Sequence, residues 1–314
     1  MKLLDFHKIY PTEESCKLKF KQIREQEGII CSKCSNASHY WKKKREQWEC
    51  KQCTHRTTLK SGTVMHNSKL SFQYWFMAMT FITSTKKSFS AKEIQRQIGH
   101  NRYQPIWEMM HKLRAVMGMR DDLYSLKDQV ELDEGFFETV DIRRDYSQNL
   151  KRGRGSEKQT TVLVSTESIE VEEESSINKN NKKTKLRYIK MKVINSLKKE
   201  VIKTEVNKII DKGSVLKTDG SNSYNDLKTD YTHQPTVATS KSELSKLLPW
   251  AHTAISNAKR LLLDVHHRID DDFLQNYLNE FCFKVNRRYF DCIFERLIIA
   301  GVYNRWDSFG ETSG

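Results

Sequence analysis

The run Val130-Glu131-Leu132-Asp133-Glu134-Gly135-Phe136-Phe137, answered far downstream by Val215-Leu216-Lys217-Thr218-Asp219-Gly220, decides how this 314-residue chain is read. Each run is short and apolar, alternates with a period of two, and closes on a glycine, which is the signature of a strand ending in a turn. Each carries one aspartate, Asp133 and Asp219. A single strand-end aspartate ordinarily caps a turn. Two of them on separate strands supply what a divalent-metal site for phosphoryl transfer needs. Hard Mg²⁺ or Mn²⁺ takes oxygen ligands from rigid elements, and a metal pair about 3.5–4 Å apart clamps the attacking and the leaving oxygen.

The surrounding chain supports a sheet. After the Asp133 strand come the polar turn Lys151-Arg152-Gly153-Arg154-Gly155 and the β-branched run Thr160-Thr161-Val162-Leu163-Val164, which together predict a hairpin. Residues 167–186, rich in Glu, Ser, Asn and Lys, read as a flexible loop. A further strand is expected over Leu186–Ile194, a helix over 197–210, then the Asp219 strand and, past Pro249-Trp250, helices to Ile269 and from Phe273 to Arg288. Three strands in hairpin order, a helix, a central strand and more helices match a ribonuclease-H-like α/β layout, with metal carboxylates on central strands. The catalytic domain is set at 123–300 and a C-terminal tail at 301–314.

Fifty-four Lys and Arg against forty Asp and Glu leave a net charge of +14 and a pI near 9.3, which favours a polyanion, double-stranded DNA first, as partner. No apolar run approaches the about 18–20 residues of a membrane span, and Met1-Lys2-Leu3-Leu4-Asp5-Phe6-His7 lacks a signal-peptide core, so the expected location is cytoplasmic, on the nucleoid.

Four of the seven cysteines form Cys31-x-x-Cys34 and Cys50-x-x-Cys53. In a reducing compartment this spacing brings four thiolates to one tetrahedral ion, a structural Zn²⁺ with no open position. Tyr40, Trp41 and Trp48 suit a hairpin between the knuckles, and Lys42, Lys43, Lys44 and Arg45 give it a basic tip suited either to solvent or to DNA. His39 and His55 read as bystanders. The remaining cysteines, Cys16, Cys282 and Cys292, read as small buried residues. With a lead helix starting at Thr12, residues 1–62 form the ribbon domain. Residues 63–122 are helical: Phe72, Trp75, Phe76 and Met79 step at helical spacing, and Ser90-Ala91-Lys92-Glu93 is a capping box. The pair of helices around Gly99 predicts either a helix-turn-helix, with 105–118 as recognition helix, or an ordinary packing unit.

With these motifs in hand, the chain resembles bacterial insertion-sequence transposases of the zinc-ribbon, DDE-related type, ISXO2-like, in which asparagine replaces the usual third glutamate. The resemblance rests on the ribbon, Ser61-Gly62-Thr63-Val64-Met65, Glu131-Leu132-Asp133-Glu134, Lys217-Thr218-Asp219-Gly220, Pro249-Trp250-Ala251-His252 and Ser256-Asn257-Ala258-Lys259-Arg260. It continues through Gln275-Asn276-Tyr277-Leu278-Asn279-Glu280-Phe281 and Asn286-Arg287-Arg288. It implies an enzyme that binds the inverted-repeat ends of its element, cuts with Mg²⁺ or Mn²⁺ and joins the freed 3′-hydroxyl to target DNA, acting as a homodimer or larger homo-oligomer. Under it, Asp133, Asp219 and Asn257 are metal ligands, Lys259 holds a phosphate, and Arg260, Arg287 and Arg288 contact the DNA backbone. Asp264, seven residues past Asn257, is a substitute third carboxylate. Two other functions fit the residues alone: a non-catalytic ribbon and helix-turn-helix regulator, and a nuclease that cuts without joining.

Overall fold

The computed structural model describes residues 1–140, 158–170, 184–237, 247–266 and 268–306. The chain forms two compact units, Met1–Arg120 together with Tyr289–Gly314, and Asp121–Arg288.

The first unit opens with a helix absent from the sequence reading, α1 (Leu3–Ile9), and with α2 (Glu13–Glu27), whose N-cap is Thr12 as its position before two glutamates predicts. The ribbon follows as β1 (His39–Lys42), β2 (Gln47–Cys50) and β3 (Arg56–Thr58), with Trp41 opposite Trp48. Then come α3 (Phe72–Ser84), α4 (Ala91–Ile98, capped by Ser90) and α5 (Tyr103–Asp121). Of the two readings of this region, the burial of α5 fits the packing unit. Ile106, Met109, Met110, Leu113, Val116 and Met117 are all buried, and the Arg114 guanidinium turns inward to donate to the Phe89 carbonyl. Along 105–118 every residue is buried or half-buried, with Pro105, Trp107, Glu108 and Lys112 the half-buried ones, as in a helix that packs into a core. Only its first turn, at Tyr103 and Gln104, is exposed.

The second unit is built on one five-stranded sheet. Its strands are β4 (Gln129–Glu138), β5 (Gln159–Glu170), β6 (Thr184–Ile194), β7 (Val215–Asp219) and β8 (Thr232–Thr236), in the spatial order β6-β5-β4-β7-β8. The first three form the expected antiparallel meander, and β7 and β8 add in parallel. Helix α6 (Lys199–Ile209) makes the crossover, and a 3₁₀ segment (Asn222–Thr229) joins β7 to β8. Helices α7 (Pro249–Val265) and α8 (Asp271–Asn286) follow. Alternation along β4 sends Val130 and Leu132 into a core with Ile202, Val206, Leu216 and Tyr224. The opposite face sends Phe137 into a second core with Ala254, Ala258, Leu262 and Leu278. The sheet is thus covered on both sides, as its parallel strands require.

The loop read over 167–186 is strand at both ends, since β5 runs to Glu170 and β6 starts at Thr184; 171–183 lie outside the described residues, as does the predicted turn 151–155. Charged residues there lie within strand β5. Glu167 is buried because its carboxylate accepts from the Lys127 N–H at 2.9 Å and lies 3.1 Å from Arg187. The last helix, α9 (Ile293–Tyr303), groups with the first unit, whereas the sequence reading runs the sheet domain to residue 300. Phe294 packs on Tyr10 and Phe76 there, and the Gly301 carbonyl accepts from Val64 at 2.8 Å.

Candidate functional site

The two aspartates occupy one face of neighbouring parallel strands. β4 and β7 pair with Gln129 opposite Val215, Val130 opposite Leu216 and Glu131 opposite Lys217. Two residues further along each strand, the same offset brings Asp133 level with Asp219, and the two-residue period keeps both on the face of Glu131 and Lys217. That face is the one α7 covers.

Helix α7 is held to β4 by a run of contacts in step with the strand. One Glu131 carboxylate oxygen accepts from the Trp250 and Ala251 backbone N–H groups, at 2.8 and 2.9 Å. These are donors that a helix N-terminus leaves unpaired, and a carboxylate there also meets the positive end of the helix dipole. One position on, His252 Nε2 lies 3.2 Å from Asp133 Oδ2. Next, Ile255 lies 3.5 Å from where a Cβ on Gly135 would sit, ordinary van der Waals contact, while the Phe137 ring lies only 2.8 Å from that point, so it is Phe137 on the same face that the glycine makes room for. Beyond it, Lys259 Nζ stands 5.6 Å from the centroid of the Phe137 ring.

Histidine, not asparagine, is therefore the α7 side chain that reaches Asp133. Asn257 is exposed and lies five residues past His252, about 140° around the helix. Asp264 is also exposed, and lies twelve residues past His252, about 18 Å along the axis. The sequence reading quotes His252 within its motif yet gives it no role. Pro249 could have flagged it, since proline suits the first position of a helix and so places His252 in the first turn, where Ala251 and Ala254 mark the packed side.

Burial sets the electrostatics. It pushes the Asp133 carboxyl above its usual pKa; Asp219 adds to the rise, and His252 and the Glu134 N–H oppose it. Asp219 also closes its own turn, accepting from the Ser221 N–H at 3.0 Å. Glu134 points to the opposite face, where burial raises it and a hydrogen bond with the Tyr224 hydroxyl holds it down. Glu131 is raised by burial, against the pull of its two helix N–H partners.

The other cations divide. Lys259 lies on the His252 stripe, two turns on, and Arg260 is exposed. Arg287 is buried, 2.6 Å from Asp121 and stacked 3.8 Å over Phe283. Arg288 donates to the Leu186, Arg187 and Val285 carbonyls. Both hold the second unit together, which corrects their reading as DNA-backbone contacts. Nothing in the sequence separates a buried arginine from an exposed one when both follow a helix. In the first unit, Lys42, Lys43, Lys44 and Arg45 are exposed at the hairpin tip, with Lys42 paired to Glu49 at 3.1 Å.

In the ribbon, the sulfurs of Cys31, Cys34, Cys50 and Cys53 all lie within 4.8 Å of one another, with Cys31–Cys53 and Cys34–Cys50 at 3.5 Å. A tetrahedral ion at about 2.3 Å from each thiolate needs sulfurs about 3.8 Å apart, so the set fits Zn²⁺. His55 bonds Ser32 and His39 bonds the Ala37 carbonyl, leaving the four cysteines as the ligands. Cys16 and Cys282 are buried as expected, whereas Cys292 is exposed. No helix among the described residues is long and apolar enough to cross a membrane.

A zinc ribbon joined to a ribonuclease-H-like sheet with carboxylates on adjacent central strands defines the class of α/β nucleic-acid enzymes to which this chain is to be compared. The ISXO2-like transposase domain matches residues 125–286, just over half the chain, and the transposase zinc-ribbon domain matches residues 11–56. The chain belongs to the ISXO2-like transposase family and is a DNA transposase, which leaves the regulator and the non-joining nuclease unfavoured. A comparison with curated proteins gives no match.

Among solved structures, similarity is found to the Mos1 strand transfer complex, at 13% identity over 70% of this chain and 75% of that one with a TM-score of 0.30. It is found also to the Mos1 mariner paired end complex with Mn, at 15% identity over 69% and 76% with a TM-score of 0.28. The family assignment rests on the domain matches.

Proposed function

We propose that Asp133, Asp219 and His252 form the catalytic metal site of this transposase, and that the reaction is in-line phosphoryl transfer at the ends of its element. The observation that carries the reading is the 3.2 Å approach of His252 Nε2 to Asp133, on a face shared by Asp133 and Asp219. Two carboxylates and an imidazole are ligand types that a divalent cation takes, and Asp133, raised by burial first and by Asp219 after it, gains from a positive ion beside it. An imidazole in place of a third carboxylate tilts the preference from Mg²⁺ towards Mn²⁺. When bound, the metal would polarise the scissile phosphodiester and lower the pKa of the attacking water.

The protein's own groups do the rest. Glu131 fixes the start of α7 and with it the position of His252. Lys259, two turns along the same stripe, holds a flanking phosphate by charge. Arg260 on the second unit, and separately the exposed ribbon tip Lys42–Arg45 on the first, offer cationic contacts to duplex DNA. Holding two element ends together calls for at least two copies, so the working form on DNA is a homodimer or larger.

The test is cleavage of labelled element-end DNA in Mg²⁺ or Mn²⁺. Asp133→Ala and Asp219→Ala proteins are expected to lose cutting and strand joining while still binding DNA. Undiminished cleavage by either variant removes the assignment.

A further inference from the structure

We propose that Glu134 and Tyr224 are positioning residues for the reaction: meeting behind the sheet, they tie the turn after Asp219 to the Asp133 strand and so set how far apart the two aspartates stand. The inference rests on the reading of Asp133 and Asp219 as metal ligands.

The need for such a tie follows from the strand pairing. The ladder between β4 and β7 ends at Glu131 and Lys217, two residues short of the aspartate on each strand. Among the described residues no backbone pair holds Asp133 beside Asp219, and two carboxylates brought together repel each other. A circuit of contacts running round to the opposite face closes the gap. Asp133 Oδ1 accepts from the Glu134 N–H at 2.9 Å, and the Glu134 carboxyl meets the Tyr224 hydroxyl. The Tyr224 N–H donates to the Ser221 carbonyl at 3.3 Å, and the Ser221 N–H donates to Asp219 Oδ1 at 3.0 Å. Each aspartate is thus linked through one oxygen to the same pair.

Tyr224 is held firmly enough to act as an anchor. It is fully buried, in the core that also takes Val130 and Leu132 of β4 and Leu216 of β7. Its hydroxyl is shut off from water and makes no other hydrogen bond. Apolar side chains could fill the same space without desolvating a carboxyl and a hydroxyl. What the polar pair adds is direction, at the point where β7 turns away from β4. Glu134 follows Asp133 on the strand and faces away from α7, so it acts through the aspartates and does not touch the DNA.

The experiment titrates Mn²⁺ into the full chain, following bound Mn²⁺ by electron paramagnetic resonance without DNA, and cleavage of labelled element ends with it. Tyr224→Phe keeps the ring and the net charge and removes only the hydroxyl. It is expected to weaken Mn²⁺ binding, and to raise the Mn²⁺ concentration for half-maximal cleavage, by about tenfold or more, the usual effect of losing an outer partner of a metal ligand. DNA affinity without metal should equal the parent's. Glu134→Gln retains an accepting oxygen and should stay within a few-fold of the parent. Glu134→Leu should match Tyr224→Phe, and the two changes together should weaken Mn²⁺ binding no further than either alone. Parent-like Mn²⁺ binding in Tyr224→Phe overturns the proposal, whatever its melting temperature. So does a Glu134→Gln protein as weak as Glu134→Leu, which would assign the effect to charge and not to the contact. Asp133→Ala in the same titration separates the two readings. Mn²⁺ binding that survives it strikes the metal-site reading, while binding lost in Asp133→Ala but kept in Tyr224→Phe strikes this proposal alone.

Discussion

His252 on α7 and Asp133 on β4 meet at 3.2 Å, whereas Asn257, five residues further along the same helix, turns to solvent. The two residues therefore differ sharply in their expected effect on catalysis. Replacing His252 with alanine should lower cleavage in Mn²⁺ by about 100-fold or more, because even outer-shell partners of metal ligands are worth about 10–100-fold. Asn257→Ala should stay within a few-fold of the parent. Single-turnover cleavage of labelled ends at matched DNA occupancy measures both. The reverse ranking would return the third ligand position to Asn257.

Glu131 acts on the site through α7. Two helix N–H groups share one of its oxygens, and the side chain is buried. Glu131→Ala leaves those donors without an acceptor, at a cost of about 1–3 kcal/mol for a buried group. A lower urea midpoint should accompany a drop in the cleavage rate, with DNA affinity unchanged. Glu131→Gln keeps an accepting oxygen in place and should recover most of the rate. A purely structural role would lower stability in both variants without separating their rates.

Strands and helices that follow one rule at a time were legible in the sequence. The β4 and β7 runs show period-two alternation and glycine ends, Thr12 and Ser90 announce their helices, and the Cys31/Cys34 and Cys50/Cys53 spacing leaves little but a tetrahedral site. What escaped the reading depends on contacts between distant segments. Glu167 looks like loop composition until Lys127 and Arg187 are brought to it. Arg287 looks like a DNA contact until Asp121 is found beside it. His252 could be placed in the first turn of a helix, yet nothing in its own neighbourhood shows that Asp133 faces that turn. The offset that aligns Asp133 with Asp219 is likewise a property of strand pairing, which a single strand does not encode.

The buried carboxylate of Glu167 makes stability pH-dependent. Burial lifts its pKa in the folded protein, with the Lys127 N–H and Arg187 only partly offsetting the rise. A carboxyl raised on folding favours the folded state below its unfolded pKa, about 4.3, and that contribution is lost as pH climbs through the higher folded value. Glu167→Gln cannot titrate. The melting temperature of the parent minus that of the variant should therefore fall as pH rises from about 4.3 through the mildly acidic range, and then level off. The slope is the readout, since loss of the Arg187 pairing shifts the variant by a pH-independent amount. A difference that is flat with pH, or that rises, would show that Glu167 titrates alike in the folded and unfolded chain.

Arg287 offers a direct contrast between scaffold and DNA contact. Its guanidinium lies 2.6 Å from Asp121, and Asn286 also donates to that carboxylate at 3.0 Å. Removing one partner of a buried ion pair strands the other charge, which costs about 3–5 kcal/mol, while replacing both with neutral groups of similar volume costs far less. Arg287→Met should thus destabilise the protein strongly, and Asp121→Asn combined with Arg287→Met should recover much of the loss, as read from urea unfolding. A residue that contacts phosphate behaves otherwise: its removal weakens DNA binding and reduces the salt dependence of affinity by about one counterion. For the double variant, once urea unfolding shows it folded, that slope should equal the parent's. Arg260→Ala, at an exposed position on α7, should lower it. A lowered slope in the Arg287 double variant would mean that the pair opens to DNA, and its role as a fixed support of the sheet would have to be given up.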